Sequence, residues 1–139
     1  ATMPRTLSRS IAIRRGRSRL GQVQFHFNDG IYRAVRITGP THNLLGLAFL
    51  TPQEKGGDVV SVEPLTRANE PARLHAEDVR EKVLEGVREA NAHLQANYRP
   101  SRIQFVLSDS GPVEIYRMLA RRIVERLHHH PDSYSGTAD

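Results

Sequence analysis

The sequence predicts an α+β fold. It is a two-layer sandwich, with a mixed, mainly antiparallel sheet of about five strands and two helices on one face, in the order β-β-β-β-α-β-α. Three observations carry this reading. Val23, Phe25 and Phe27 alternate with Gln22, Gln24 and His26, and Asn28-Asp29-Gly30 then separates them from a second run ending at Ile37; that is the pattern of a half-buried hairpin. Val79, Val83, Leu84, Val87, Ala90 and Leu94 recur at the spacing of a core-facing helix. Residues 101–127 then read as strand, tight loop and helix.

In chain order, the hairpin's return strand offers Val35 and Ile37 as core contacts. The run LLGLAFL at 44–50 is short and apolar throughout, which suits an interior strand, with Gly46 marking a bulge or a close backbone approach. A fourth strand over 58–65 is built on Val59, Val60 and Val62, and Pro64 places its end at a sheet edge or outside the ladder. The long helix is expected from Ala76 to Asn97. Glu77 and Asp78 sit in its first turn, where they complement the dipole, Lys82 stands four residues after Asp78, and Gly86 marks close packing on the sheet. Ile103, Phe105, Val106 and Leu107 make the last strand apolar on both faces, hence interior. If it neighbours the fourth strand, the crossover through the long helix makes the two parallel. Pro112 opens the second helix, which stops at His128-His129-His130-Pro131. The expected organisation is a flexible basic arm over 1–10, one domain over 11–130 (with a short strand around Ile11 and Ile13) and a disordered tail over 131–139.

The chain has 139 residues, no cysteine and a net charge of +5. Without cysteine there is no disulfide, thiol nucleophile or Cys-ligated zinc. No apolar run is long enough to span a bilayer, no secretory leader is legible, and a cytoplasmic location is expected. The charge is uneven: up to Arg36 there are eight arginines against Asp29 alone. Such asymmetry suggests an anionic partner. Arginine also outnumbers lysine 18 to 2 across the chain, a ratio that codon bias in a GC-rich bacterial genome produces without any partner.

Two candidate surfaces follow. Arg14, Arg15, Arg17 and Arg19, joined by Arg117, Arg121 and Arg122 on the last helix, form an electrostatic anion- or nucleic-acid-binding surface that lacks a base-reading motif. Ser108, Asp109, Ser110 and Gly111 form either an anion site at a helix start or a helix cap, Ser110 or Asp109 accepting from the first turn; capping is the favoured reading. The glycines and lysine of a phosphate-binding loop are missing. His26, Asp29 and His42 would form an acid–base group only if the fold gathers them. The three consecutive histidines do not converge on one ion, so no metal or cofactor is expected. GVREA at Gly86 to Ala90, the proline-led strand at Pro100 to Leu107 and the helix after it resemble in layout the second half of domain IV of elongation factor G. RGRSRLGQV at Arg15 to Val23 is similar to that domain's basic first strand. The likeness spans about forty residues in two pieces and implies RNA contact, but the Asp–Gly hairpin and the His and Asp-Ser pattern of that domain are missing.

The expected role is a small soluble binding module, not an enzyme, that engages an anionic partner, nucleic acid ahead of membrane, as a monomer or homodimer. The alternatives are a protein-interaction module and a small enzyme with its site at Ser108 to Gly111.

Overall fold

The computed structural model describes residues 22–38, 41–51 and 59–138. The expected arm, the strand around Ile11 and Ile13, and Arg14, Arg15, Arg17 and Arg19 lie outside them. Among the described residues the elements are β1 (Val23–Asn28), β2 (Ile31–Thr38), β3 (Thr41–Phe49), β4 (Ser61–Leu65), α1 (Ala76–Leu94), β5 (Pro100–Val106), α2 (Glu114–His129) and β6 (Gly136–Ala138). The sheet order is β4-β5-β3-β2-β1-β6. Only β4 and β5 are parallel, and β5 is interior as its sequence requires. The predicted fold class holds, with one more strand than expected.

The β1–β2 turn is built on Asp29 (φ 54°) and Gly30 (φ 76°). Positive φ at both central residues matches the twist of a two-residue hairpin, and it pairs Asn28 with Ile31. That register decides which side chains reach the core. Phe25 stands opposite Ala34 and Val23 opposite Arg36, so Val35 and Ile37 belong to the other face. They are half-buried, and the expectation of core contacts there is corrected: β2 contributes Ala34 instead. A one-residue offset inverts a strand's faces.

Val79, Val83, Val87 and Ala90 of α1, and Tyr116, Leu119, Ala120, Ile123 and Val124 of α2, pack with Val23, Phe25, Leu45, Leu47, Ile103 and Phe105 in one core. Gly46 marks a close approach, since a Cβ there would meet Ile31 Cγ2 at 2.9 Å; the ladder irregularity falls at Ala48/Phe49 instead. Gly86 packs against the second helix rather than the sheet: an added Cβ would lie 2.2 Å from the Arg117 carbonyl oxygen. β4 is shorter than expected, and Val59 before it is 85% exposed. α1 stops at Leu94 because Gln95 turns left-handed (φ 54°). Lys82 pairs with Glu85 (3.3 Å) and, across the helices, with Glu114 (3.1 Å) rather than with Asp78.

The tail corrects the expectation of disorder over 131–139. β6 pairs with β1, and Tyr134 is buried among Phe25 and Tyr32. Its hydroxyl donates to the Arg33 carbonyl at 3.1 Å, and burial holds the phenol well above its usual pKa, so it remains a donor. Arg126 Nε donates to the Tyr134 carbonyl at 2.9 Å. The small polar residues around Tyr134 hide this anchor in the sequence. Tyr134→Phe removes one buried hydrogen bond and little apolar contact. It is expected to cost about 1 kcal/mol, read as a lower urea midpoint with an unchanged m-value.

Candidate functional site

The parallel pair β4–β5 ends where both helices begin, and a polar cleft of about 270 Å³ opens there. Its construction starts at Leu107, just past β5. The Leu107 amide continues the pairing to the Leu65 carbonyl (2.9 Å). Its own carbonyl accepts from the amides of Arg73 (2.8 Å) and Leu74 (3.2 Å). The connection after β4 is thereby pinned beside the loop after β5, which brings Arg67, Glu70 and Arg73 to Ser108, Asp109 and Ser110. His42, near the start of β3, completes the wall.

Asp109 is the centre of this loop. It is 3% exposed. Oδ2 accepts from the Leu44 amide (3.0 Å), and Oδ1 from Arg67 Nη1 (3.2 Å). Burial raises its pKa, against the pull of the Leu44 amide and Arg67. Asn43 Nδ2 donates to the Ser110 carbonyl (2.7 Å) and to the Tyr116 hydroxyl (3.3 Å). Burial pushes the Tyr116 phenol up to about 12. Asn43 and Asp109 are the two buried polar side chains among the described residues, and both hold this loop. Burying such groups is tolerated only when they are bonded.

The capping reading of Ser108, Asp109, Ser110 and Gly111 is therefore corrected. The helix starts later, at Glu114 with Val113 as its N-cap, and no side chain caps it. Gly111 joins Pro112 through a cis peptide bond, and Pro112 precedes the helix instead of opening it. Asp109 spends its carboxylate on β3 and Arg67, and Ser108 Oγ bonds Glu70 Oε1.

The two carboxylates of the cleft thus have partners, whereas the structure gives the side chains of Arg73 and His42 no hydrogen-bond or ion-pair partner among the described residues. Both helices point their N-termini to this end, and their partial positive charge favours an anion, partly offset by Glu77, Asp78 and Glu114 in the first turns. His42 reaches the cleft but His26 and Asp29 do not, so that acid–base trio is not assembled. Asp109 bonds Leu44 and Arg67 rather than His42.

On α2 the expected basic surface is largely engaged within the fold. Arg117 pairs with Glu89 (3.1 Å) and Glu114, and Arg121 with Glu89 (3.5 Å). Arg122 lies over the Phe25 ring at 5.9 Å. The polar groups on the sheet face away from the helices are similarly engaged. Arg102 makes two bonds to Glu63 (2.7 and 2.8 Å), and Gln104 a third (3.0 Å). The Arg102 guanidinium, helped by Gln104, holds the Glu63 carboxyl down at about 2.

Asn43, Arg67 and Arg73 were not singled out from the sequence. One signal could have found the two arginines: a parallel β4–β5 pair puts the segment after β4 beside the segment after β5. Among the described residues no group of three or more His, Asp or Glu side chains could hold a metal ion, and no helix is long and apolar enough to cross a membrane. No family model, curated protein or solved structure matches this chain.

Proposed function

We propose that the protein is a non-enzymatic binding module for a phosphate-bearing chain, a nucleic acid, with the cleft at the β4–β5 ends as its phosphate contact. One observation carries this reading: Arg73 and His42 face the cleft with no hydrogen-bond or ion-pair partner among the described residues, while its two carboxylates are bonded. Arg67, bonded to Asp109, presents further N–H groups at the same wall. Guanidinium groups suit this work because their fork of donors matches phosphate oxygens. The arginines of the N-terminal quarter add sequence-independent affinity on this reading. No Phe or Tyr among the described residues lines the cleft, so the contact reads charge and spacing rather than bases.

Titration of mixed single-stranded RNA and DNA pools at low and moderate salt tests this. Binding should weaken steeply with salt as counterions are released, and Arg73→Gln should lower affinity for all sequences alike and reduce the log–log salt slope by about 0.7. Binding indifferent to salt, or an Arg73→Gln variant with unchanged affinity and slope, removes the cleft from the interface.

A further inference from the structure

The opposite end of the sandwich holds a second, larger cavity of about 530 Å³, within the range of small-molecule sites (about 300–1,000 Å³). It lies where β3 ends, where the β1–β2 hairpin turns, and where both helices finish. Four Phe and Tyr rings line it, Phe27, Tyr32, Phe49 and Tyr98, with the His128 imidazole against Tyr98. They form a continuous series, with centroids 4.3 Å apart for Phe27–Tyr32, 6.0 Å for Tyr32–Phe49 and 5.6 Å for Phe49–Tyr98. Phe27 is 46% exposed, although its place in the β1 alternation is on the apolar face. The helices do not extend far enough to cover it.

The chemistry of the lining restricts the ligand. Among the described residues no Asp, Glu, Lys or Arg lines the cavity. A charged ligand would be desolvated there with no counter-ion in the described lining, which is costly. The C-termini of both helices at this end further disfavour an anion. Arg99 stands beside the cavity and donates Nη2 to the Thr51 carbonyl at 3.4 Å, which disfavours a cation. Polar handles are nevertheless present. The amide side chains of Gln95 and Asn97 line the cavity and have no bonded partner among the described residues. The Tyr98 hydroxyl and His128 Nδ1 form a pair at 3.2 Å. Tyr98 itself is held at both backbone groups: its amide donates to Asn91 Oδ1 (2.9 Å), and its carbonyl accepts from Asn91 Nδ2 (3.0 Å). A wall fixed in this way loses little entropy on binding.

We infer that this cavity binds an uncharged, planar heteroaromatic molecule, stacked among Phe27, Tyr32, Phe49 and Tyr98 and hydrogen-bonded by the Gln95 and Asn97 amides. Ring faces and edges supply stacking for a flat π-system, and two side-chain amides supply both donors and acceptors for ring heteroatoms. The site is separate from the charged cleft, at the other end of the strands, so it stands or falls independently of the nucleic-acid reading.

The test uses the intact chain and three probes sharing one ring: indole, indole-3-acetate and tryptamine, which are neutral, anionic and cationic at neutral pH. Binding is followed by amide chemical shifts. Indole should give saturable shifts at Gly30, Thr51, Ala96 and Asn97, with a Kd at least ten-fold lower than either charged analogue. Phe27→Ser, at a half-exposed position, should weaken indole at least five-fold. No saturable shift with indole, or equal or tighter binding of a charged analogue, overturns the proposal. The charge series on the unaltered protein decides the matter even if the variant folds poorly.

Discussion

Gly86→Ala is expected to destabilise the protein by about 3 kcal/mol, although alanine is the better helix former by about 1 kcal/mol. The reason lies across the helix pair. The new Cβ would fall 2.2 Å from the Arg117 carbonyl oxygen and 3.0 Å from Ala120 Cβ. A carbonyl already committed to α2 cannot rotate aside as a side chain can, so the helices must separate. Separation loosens the contacts of Val83, Val87 and Ile123 in the core and lengthens the Lys82–Glu114 and Arg117–Glu89 bridges. The exposed bridges contribute little by themselves; the apolar seam carries the loss. Thermal unfolding should show a fall of roughly 10 °C for a chain of this size. A Tm unchanged or raised would mean that the helix pair tolerates a methyl group here and that close approach is not what Gly86 provides.

Asp109→Ala is expected to cost about 3 kcal/mol, and Asp109→Asn no more than about 1 kcal/mol. Alanine strands the Leu44 amide, which is then left without its acceptor in a partly buried place, and removes one of the two carboxylate partners of Arg67. Arg67 is half-exposed and recovers water, so most of the cost belongs to Leu44 and to the cavity left by the side chain. Asparagine keeps an acceptor for that amide and removes a charge that burial opposes. The pH dependence separates the two contributions. The folded pKa of Asp109 is raised above the ordinary 3.8. Its contribution is therefore fully present below 3.8 and is lost as pH rises through the folded value. Urea midpoints between about pH 3.5 and 7 should show the unaltered protein losing ground to Asp109→Asn as pH increases. A gap that instead grows in favour of aspartate with pH would show that the fold stabilises the anion. Glu63 acts in the opposite sense: its lowered pKa, about 2 against 4.5, contributes above 4.5 and fades as pH falls toward 2.

The cleft and the aromatic cavity occupy opposite ends of one sheet, and polarity divides them. Helix N-termini and arginines gather at one end, helix C-termini and rings at the other. This division follows from topology. α1 and α2 run in the same direction because each connects to β5, one entering it and the other leaving it.

Local pattern by itself determined the elements: the hairpin at Asn28-Asp29-Gly30, the α1 stripe and the interior β5; that β4 and β5 are neighbours, and hence parallel, was left to the tertiary structure. Period-2 and period-3.6 burial and the turn residues act within a few positions of each other, and that range is legible in one dimension. Three further matters were decided only by the tertiary structure. The two-residue turn set the register that turned Val35 and Ile37 away from the core. The crossing of the helices assigned Gly86 to Arg117 rather than to the sheet. The meeting of segments far apart in sequence drew Asp109 away from a cap and toward Leu44 and Arg67, and buried Tyr134 in a tail that reads as polar. Each depends on which distant backbone or side chain arrives to satisfy a polar group or fill a space, and no short window of sequence contains that partner.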